Sequence, residues 1–403
     1  MPIRVILFID DYLPSCTQIH ARMMHDLAVA LTKLGAKVVV LTAGGPNLIT
    51  TLQIDFIDNV EIWRFKSLPT RGQSHFKRLI GETLLSFYAY RALKSSQLDL
   101  NFNICINYSP TIFFGPLVKW FKKNGAFVYL ILRDFFPKWI IDEGLISNIS
   151  FAAIYLRFFE NINYKASDII AVQSPKNKSI FKKIAPKEFY KVKVLYNWLA
   201  PKKNRPNDVF GKKFIKNCKL NNKFIFFYGG NIGISQDIDN LVRLSKKFLQ
   251  EPKVRFLFIG QGDLYSNLEK KIKNGKLTNV VLMPSVDQEE YRSILKEIDV
   301  GIFSLSANHK SHNFPGKILG YLEAQIPIIG SVNKGNDLIH VINSSGTGKV
   351  MINGNDNEFY SEAYKIFKSE SLRNKMSNNS KHLLENMFSV DAAVNAILVD
   401  SGF

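Results

Sequence analysis

The sequence predicts an α/β protein made of two doubly wound domains, each a parallel sheet with helices on both of its faces. Apolar, β-branched runs alternate with segments of helical period, which is the pattern of strand and helix units in a parallel sheet. The alternation occurs twice, and residues 201–222, with Pro206 and Gly211, separate the two series. A chain of 403 residues with 46% hydrophobic content is long enough for two such domains.

The first series predicts an N-terminal domain over residues 1–200. Its apolar runs predict strands at 3–9, 37–42, 60–65, 102–108, 127–132, 168–173 and 192–196. Its helical patterns lie at 20–34, 75–96, 111–123, 150–166 and 175–183. Because helices fall between most of the strands, we expect the strands to run parallel.

The second series predicts a C-terminal domain over residues 223–388 and a terminal helix over 389–403. Residues 201–222 show no clear period and are predicted to be a linker. The predicted strands lie at 223–228, 254–259, 279–283, 300–305, 327–332 and 348–352. The predicted helices lie at 237–249, 263–274, 287–297, 316–325, 356–368, 371–386 and 389–400.

Three glycine-rich segments of the second series each stand between an apolar run and a helical pattern. They are residues 223–233, 254–262 and 311–317. A strand, a glycine loop and a helix N-terminus in this order present backbone N–H groups at the positive end of a helix dipole, which suits a phosphate. One such loop alone is more typical of a tight turn. Three in one domain favour a nucleoside diphosphate bound between strand ends.

The net charge of +19 indicates an anionic partner. The chain has no zinc-finger spacing, no aromatic RNA-binding motif and no basic arm, so nucleic acid is not the expected partner. Residues 76–94 and 116–124 mix aromatic residues with Lys and Arg, as helices on an anionic membrane surface do. The alternative is a pair of ordinary solvated helices whose aromatic residues face the core.

The sequence also indicates where the protein is located. No run approaches the roughly 18 apolar residues that a membrane span requires. The N-terminus reads as a strand ending in Asp10 and Asp11 and shows no cleavage site. The three cysteines lie far apart without C-x-x-C spacing, so zinc or redox chemistry is not expected. We expect a cytoplasmic protein, peripheral at the inner face of the cytoplasmic membrane.

Longer motifs carry a resemblance to a known family. They occupy residues 10–14, 132–137, 160–164, 171–175, 229–233, 236, 258–264, 315–322 and 335–338. With them the chain resembles the family 4 glycosyltransferases, which are retaining enzymes with the GT-B fold, and the resemblance covers almost the whole chain. Within that family it is most similar to bacterial N-acetyl-L-fucosamine transferases of O-antigen and capsule assembly.

The resemblance implies two Rossmann-like domains facing a central cleft, with the C-terminal helices returning to the N-terminal domain. The N-terminal domain would bind the acceptor and the C-terminal domain the donor. The implied reaction moves N-acetyl-fucosamine, or a related N-acetylated deoxyhexose, from a UDP donor to a polyprenyl diphosphate-linked saccharide with retention. Two alternatives stay open: a GT-B sugar-nucleotide epimerase or phosphorylase, and a non-catalytic module that binds polysaccharide or nucleic acid.

The resemblance also implies a set of donor-binding residues. They are Gly230, Asn231, Gly233, Gln236, Gly260, Gly262, His312, Asn313, Gly316, Lys317 and Glu323. The chain departs from the family pattern because Asn231 and Gln236 stand where many members have Arg and Lys. His312 and Gly320 likewise stand where many members have two glutamates. Positive charge for the diphosphate must therefore come from elsewhere.

Lys317 is the residue expected to supply that charge. It begins the helix after the third glycine-rich segment, where its ammonium group and the amides of Gly316 and Lys317 could address one phosphate together. Glu323 lies one helical turn past the second missing glutamate and is a candidate for a ribose contact. The alternatives are a solvated lysine at a helix start and a surface or capping glutamate.

The expected catalytic residues are Arg133, Asp134 and Asp11, each of which follows an apolar strand. Asp134 could orient the acceptor hydroxyl and Arg133 could bind phosphate. The alternatives are a plain ion pair between Arg133 and Asp134, and an ordinary turn at Asp11.

A metal ion and a resident cofactor are not expected. Asp237 and Asp239 have the D-x-D spacing of metal-dependent transferases, but they lie in the first turn of a predicted helix, where carboxylates interact favourably with the dipole. His309 and His312 have no third ligand nearby in the sequence. Amide dipoles and cations beneath the diphosphate would stabilise the charge that builds on it.

Overall fold

A computed structural model describes residues 2–16, 19–70, 75–109, 111–142, 144–200, 208–308 and 314–403. The chain forms two compact units. The first comprises Met1–Ala200 with Val390–Phe403, and the second comprises Pro201–Ser389. Each unit contains one sheet with a largely or wholly parallel strand arrangement, so the prediction of a two-domain α/β fold is confirmed.

The sheet of the first unit has the strand order β3-β4-β2-β1-β5-β6-β7-β8. Its strands are β1 (Arg4–Phe8), β2 (Lys37–Gly45), β3 (Leu52–Ile57), β4 (Val60–Lys66), β5 (Ile104–Tyr108), β6 (Phe127–Leu132), β7 (Ile169–Val172) and β8 (Val192–Val194). All neighbouring strands pair in parallel except β3, which is antiparallel to β4. The order reverses direction between β1 and β5, so a crevice is expected at their carboxyl ends.

Helices cover both faces of this sheet. They are α1 (Ile19–Lys33), α2 (His75–Thr83), α3 (Leu85–Ser95), α4 (Gly115–Lys123), α5 (Lys138–Asp142), α6 (Phe151–Ala166), α7 (Pro175–Ile184) and, from the end of the chain, α16 (Val390–Asp400). Alternate residues of β1 enter two separate cores: Val5 and Leu7 pack with residues of α1 and α16, and Ile6 and Phe8 pack with residues of α3 and α4. The terminal helix thus returns to the first unit.

The sheet of the second unit is entirely parallel, with the order β11-β10-β9-β12-β13-β14. Its strands are β9 (Phe224–Asn231), β10 (Val254–Gln261), β11 (Val280–Pro284), β12 (Val300–Ser304), β13 (Ile328–Val332) and β14 (Gly348–Ile352). This is the 3-2-1-4-5-6 arrangement of doubly wound sheets, whose direction reverses between the first and the fourth strand. The reversal lies here between β9 and β12.

The helices of the second unit pack on both faces of its sheet. They are α8 (Asp208–Asn217), α9 (Ile238–Lys247), α10 (Tyr265–Asn274), α11 (Gln288–Leu295), α12 (Lys317–Glu323), α13 (Leu338–Ser345), α14 (Asp356–Lys368) and α15 (Glu370–Met387). Phe226 and Tyr228 of β9 point into a core shared with α9 and α14. Phe227 between them contacts the rings of Tyr291 and Tyr321 on the opposite face.

The segment predicted to be a linker contains helix α8. Gly211, named above as part of the predicted linker, makes a close contact with α11. The Gly211 N–H donates to Ser293 Oγ at 2.7 Å, and a Cβ at Gly211 would lie 2.3 Å from the Ser293 carbonyl oxygen. The linker prediction was therefore wrong over Asp208–Asn217.

Within the part of the chain that the structure describes, no helix combines the length and the apolar character needed to cross a bilayer.

Candidate functional site

The candidate site of the second unit lies at the carboxyl ends of β9 and β12, where the strand order reverses. Strand β9 ends in Gly229, Gly230 and Asn231, and α12 begins at Lys317 after the strand β12. Ligands of doubly wound sheets bind outside the carboxyl ends of the strands at such a reversal. Two segments predicted to bind the donor therefore meet at the place where the fold favours a ligand.

Lys317 links these segments directly. Its Nζ donates hydrogen bonds to the Tyr228 hydroxyl at 2.9 Å and to Gln236 Oε1 at 2.7 Å. The ammonium group also lies 4.1 Å from the centre of the Tyr228 ring, which is a cation–π distance. A Cβ at Gly230 would lie 3.5 Å from Lys317 Cε. The structure thus brings together Gly230, Gln236 and Lys317, three of the residues predicted to bind the donor.

The environment of Lys317 makes its ammonium group easier to deprotonate than that of an exposed lysine when no anion is bound. Burial lowers the pKa of Lys317 to about 7. Among the described residues no carboxylate forms an ion pair with it; its two hydrogen-bond partners are both neutral. An anionic ligand at this position would stabilise the ammonium form and raise the pKa of Lys317 again.

The glycines of this edge let two strands end side by side at close range. Gly230 and Gly260 are paired residues of β9 and β10. A Cβ at Gly260 would lie 1.9 Å from the Gly230 carbonyl oxygen, so no other residue fits there. Gly262 has φ +146°, and a Cβ there would lie 2.5 Å from the Ile232 carbonyl oxygen. Gly230 and Gly262 are exposed at this edge, so a ligand there can contact their main chain directly.

A cavity of about 230 Å³ opens beside this edge. Gly230, Gly260, Gln261, Ser285 and Tyr291 are among its lining residues. The Ser285 hydroxyl donates to Gln261 Oε1 at 2.9 Å. Sequence reasoning missed the aromatic partners of the site, Tyr228 and Tyr291. The only available signal for Tyr228 was its position directly before the glycines of β9.

The remaining residues predicted to bind the donor have different surroundings. Glu323 forms an ion pair with Arg292 of α11: the Arg292 Nη2 donates to Glu323 Oε1 at 2.6 Å and Nε donates to Oε2 at 3.3 Å. Asn231 and Gly316 are exposed, and Gly233 is buried. His312 and Asn313 lie outside the described residues.

Asp237 and Asp239 have separate partners. Asp237 Oδ2 accepts a hydrogen bond from Asn353 Nδ2 at 2.7 Å, and Asn353 also donates to the Leu305 carbonyl oxygen. Asp239 pairs with Lys271 of α10 at 2.5 Å. The two carboxylates thus hold neighbouring segments, and no group of three His, Cys, Asp or Glu in the described ranges could hold a metal ion.

Arg133, at the carboxyl end of β6 in the first unit, is buried and bound to main chain. Its Nη1 donates to the Leu195 carbonyl oxygen at 2.5 Å and its Nη2 to the Tyr196 carbonyl oxygen at 3.3 Å. The guanidinium group lies over the Trp198 ring at 5.3 Å. Burial lowers the pKa of Arg133 to about 10. Arg133 therefore holds the segment after β8 with both of its terminal nitrogens.

Asp134 and Asp11 lie at the same carboxyl edge as Arg133. Asp134 is exposed directly after Arg133, and in the described part of the chain the terminal nitrogens of Arg133 donate to backbone carbonyls instead of pairing with Asp134. Asp11 follows β1 and is half-buried. The edge also holds buried polar residues that sequence reasoning missed, Ser109 after β5 and Gln173 after β7. Within the described chain, Ser109 Oγ and Gln173 Oε1 have no hydrogen-bond partner.

The two segments predicted to touch a membrane differ in exposure. In α4, Phe121 is buried and its ring packs against Phe8 and Phe102, so the prediction of an aromatic membrane surface is wrong for this residue. In α3, Phe87 and Tyr90 are exposed.

The chain is similar to known glycosyltransferases in sequence and in fold. Residues 210–383 match the family described as Glycosyl transferases group 1. The probable glycosyltransferase WbjE of Pseudomonas aeruginosa is 23% identical over 221 residues, which are 54% of this chain and 54% of that protein. The chain therefore spans about half the length of this relative.

Two solved structures share the fold over nearly the whole chain. WaaG, a glycosyltransferase involved in lipopolysaccharide biosynthesis, has a TM-score of 0.66 and 14% identity, covering 99% of this chain and 100% of that one. HepE of Anabaena, solved in complex with UDP and glucose, has a TM-score of 0.65 and 12% identity, covering 98% of each chain. These similarities show the two-domain GT-B fold.

Proposed function

We propose that this protein is a glycosyltransferase of polysaccharide or lipopolysaccharide biosynthesis, with a nucleotide-sugar donor bound to the second unit. The observation that carries the proposal is the position of Lys317 against Gly230 and Gln236 at the reversal of the sheet. These three residues lie within residues 210–383, which match the Glycosyl transferases group 1 family. The site supplies exposed main chain and one cation without a carboxylate partner among the described residues, which suits a diphosphate.

The chemistry of sugar transfer needs such a group. Breaking the bond between the anomeric carbon and the donor phosphate leaves negative charge on the diphosphate. A cation placed beside it stabilises the transition state more than the ground state, which lowers the barrier. The hydrogen bonds from Lys317 to Tyr228 and Gln236 hold its ammonium group in place before the donor arrives. Lys317 is thus the group proposed to stabilise the negative charge that develops on the leaving diphosphate.

The finer proposal concerns the donor, the acceptor and the outcome at the anomeric carbon. It names UDP-N-acetyl-fucosamine or a related N-acetylated deoxyhexose as donor and a polyprenyl diphosphate-linked saccharide as acceptor, with retention and without a metal ion. The UDP bound to HepE supports the choice of base. The polar residues Asp11, Asp134, Ser109 and Gln173 at the carboxyl edge of the first unit support a hydroxyl-bearing acceptor. The proposed location is cytoplasmic and peripheral to the membrane.

The proposal is tested by calorimetric titration with UDP, GDP, ADP and dTDP at pH 6.5 in the presence of EDTA. We expect one of these nucleotides to bind. In Lys317→Met its Kd should rise roughly 10- to 100-fold, because a hydrogen bond to a charged group contributes about 1.5–3 kcal/mol. Lys365→Met is the matched control, since Lys365 is an exposed lysine of α14 paired with Glu362.

The outcomes separate the proposal from its alternatives. Equal binding by Lys317→Met and the wild type would remove Lys317 from the donor site. Binding of none of the nucleotides would favour the non-catalytic module. When a nucleotide sugar replaces the diphosphate, its interconversion without an acceptor would favour the epimerase, and a requirement for free phosphate would favour the phosphorylase.

A further inference from the structure

Helix α6 presents a continuous apolar face to solvent. Phe151, Ile154, Tyr155 and Phe158 lie at the spacing i, i+3, i+4 and i+7, which places them on one side of a helix. Phe151 is 93% exposed, Ile154 58% and Phe158 60%. Side chains of this size are seldom exposed as a contiguous group unless they bind something. We call these four residues the outer face of α6.

Helix α6 is held in the fold mainly by the side opposite its outer face. The opposite side of the helix buries Ala153, Leu156 and Phe159, and the Phe159 ring packs on Phe113 at 5.0 Å. The Ser150 hydroxyl accepts a hydrogen bond from the Ala153 N–H and caps the helix N-terminus. Helix α6 is therefore anchored by one apolar side and still carries a second.

The segment before α6 extends the apolar surface. Leu145 and Ile149 are both largely exposed. Arg157 donates a hydrogen bond to the Asn148 carbonyl oxygen at 2.8 Å, which fixes this segment against the helix. The segment before α6 therefore has a fixed main chain, and its apolar side chains Leu145 and Ile149 point to solvent next to the outer face of α6.

Helix α3 packs against the same core as α6 and adds positive charge to this side of the unit. The Tyr155 hydroxyl of α6 donates to Thr83 Oγ1, at the end of α2 and two residues before α3. The exposed side of α3 carries Phe87, Tyr90, Arg91 and Lys94, also at i, i+3, i+4 and i+7. Helix α3 has no acidic residue, and the one acidic residue of α6, Glu160, is buried.

We propose that the outer face of α6 inserts into an anionic lipid bilayer while Arg91 and Lys94 of α3 bind its headgroups. Apolar side chains beside cations, on two helices that carry no exposed carboxylate, are complementary to an anionic bilayer surface. The inference rests on the proposed function in that a lipid-linked acceptor requires a protein at the membrane. It identifies the membrane-binding surface as α6 with α3, and not α4, whose Phe121 is buried.

The test is co-sedimentation of the full chain with vesicles of phosphatidylglycerol and phosphatidylethanolamine, and with phosphatidylcholine vesicles. Phe151→Asp with Phe158→Asp should weaken binding to the anionic vesicles at least roughly 100-fold, because two inserted aromatic side chains are lost. Arg91→Ala should weaken it about five-fold. Phe56→Asp is the control and should change nothing, because Phe56 is 69% exposed on β3, outside this surface.

Several results would overturn this proposal. The first is wild-type affinity of the double variant for anionic vesicles, and the second is equal binding of the wild type to phosphatidylcholine. A third is a wild-type dimer in light scattering that the double variant dissociates, without vesicle binding, because the occupant would then be a second copy. Titration with nucleotides on the same samples keeps the two proposals apart, since the double variant should bind nucleotide like the wild type.

Discussion

The carboxyl edges of the two sheets have similar topology but are built from different chemical groups. In the second unit, β9 and β10 end in glycines, and the adjacent cation is Lys317, whose burial lowers its pKa. In the first unit, the strands are followed by polar side chains, and the adjacent cation, Arg133, is bound to two backbone carbonyls. The edge of the second unit therefore presents main chain and a titratable amine. The edge of the first unit presents polar side chains and an arginine that is bound to backbone carbonyls.

Because of this difference, the two edges suit different ligands. A diphosphate is bound well by N–H groups and an ammonium group that has no other counter-ion. A saccharide hydroxyl is both donor and acceptor, and it suits uncharged polar atoms such as Ser109 Oγ and Gln173 Oε1. The comparison assigns the proposed donor to the second unit and the proposed acceptor to the first.

The largest expected effect comes from closing the glycine edge of the second unit. Gly260→Ala should destabilise the protein by about 3 kcal/mol, because its Cβ would overlap the Gly230 carbonyl oxygen and force β9 and β10 apart. Denaturant unfolding measures the change. Gly320→Ala is the control: its Cβ would lie 3.5 Å from Leu295, and alanine favours a helix, so stability should be unchanged or higher. Equal effects of the two substitutions would contradict the steric account.

A somewhat smaller effect is expected from the arginine of the first unit. Arg133→Met should cost about 2 kcal/mol, because the carbonyl groups of Leu195 and Tyr196 each lose a buried donor. Arg255→Met is a matched control, since Arg255 also donates to two backbone carbonyls, those of Pro252 and Val254, at a more exposed position. Unfolding midpoints that fall equally in both variants would show that burial of Arg133 is not decisive.

The titration of Lys317 predicts how nucleotide-sugar binding depends on pH. The pKa of Lys317 is lowered to about 7 in the free protein, and a bound diphosphate raises it. Below pH 7 the ammonium form is already present, whereas above pH 7 binding must take up a proton. The Kd should therefore rise up to about ten-fold per pH unit above 7, which is about 1.4 kcal/mol per unit.

Calorimetry from pH 6 to pH 9 measures this dependence. A nucleotide sugar is the suitable ligand, because its diphosphate diester does not titrate near neutral pH. Lys317→Met should bind weakly with a flat profile, and Lys365→Met should follow the wild type. A flat wild-type profile would mean that Lys317 does not change its protonation on binding.

The smallest effect is expected from Glu323. Its two carboxylate oxygens accept hydrogen bonds from Arg292, so Glu323→Gln should lower stability by about 1 kcal/mol. The Kd for the nucleotide should stay within about two-fold of the wild-type value, because a paired carboxylate has little capacity left for a ribose hydroxyl. An increase of more than about five-fold would instead support the ribose contact that the family resemblance implies.

Most strands were predictable because their signal is local. Apolar, β-branched runs bounded by turn residues marked every strand except β3. Strand β3 alternates polar and apolar residues at the sheet edge, and it forms through pairing with β4 and not through burial of a continuous run. Helix α13 was missed because it has only eight residues, and sequence periodicity does not distinguish so short a segment with an apolar start from a strand.

The candidate site was predictable only in part. Glycine loops and a lysine at a helix start follow from residue type and position, and they located Gly230, Gly260 and Lys317. The contact from Lys317 to Gln236 joins residues 81 positions apart, and Tyr228 carried almost no sequence signal. Whether Glu323 was free or paired depended on Arg292 of another helix.

The sequence by itself determined the two α/β series, the three glycine-rich segments of the second and the strong positive charge, because these depend on composition and short-range period. Tertiary structure alone decided that Gly211 joins two helices, that Arg133 holds main chain and that the outer face of α6 remains exposed. The physical reason is that burial and hydrogen-bond pairing depend on residues far apart in the chain. A helix with two apolar sides does not reveal from its sequence which side the core will take.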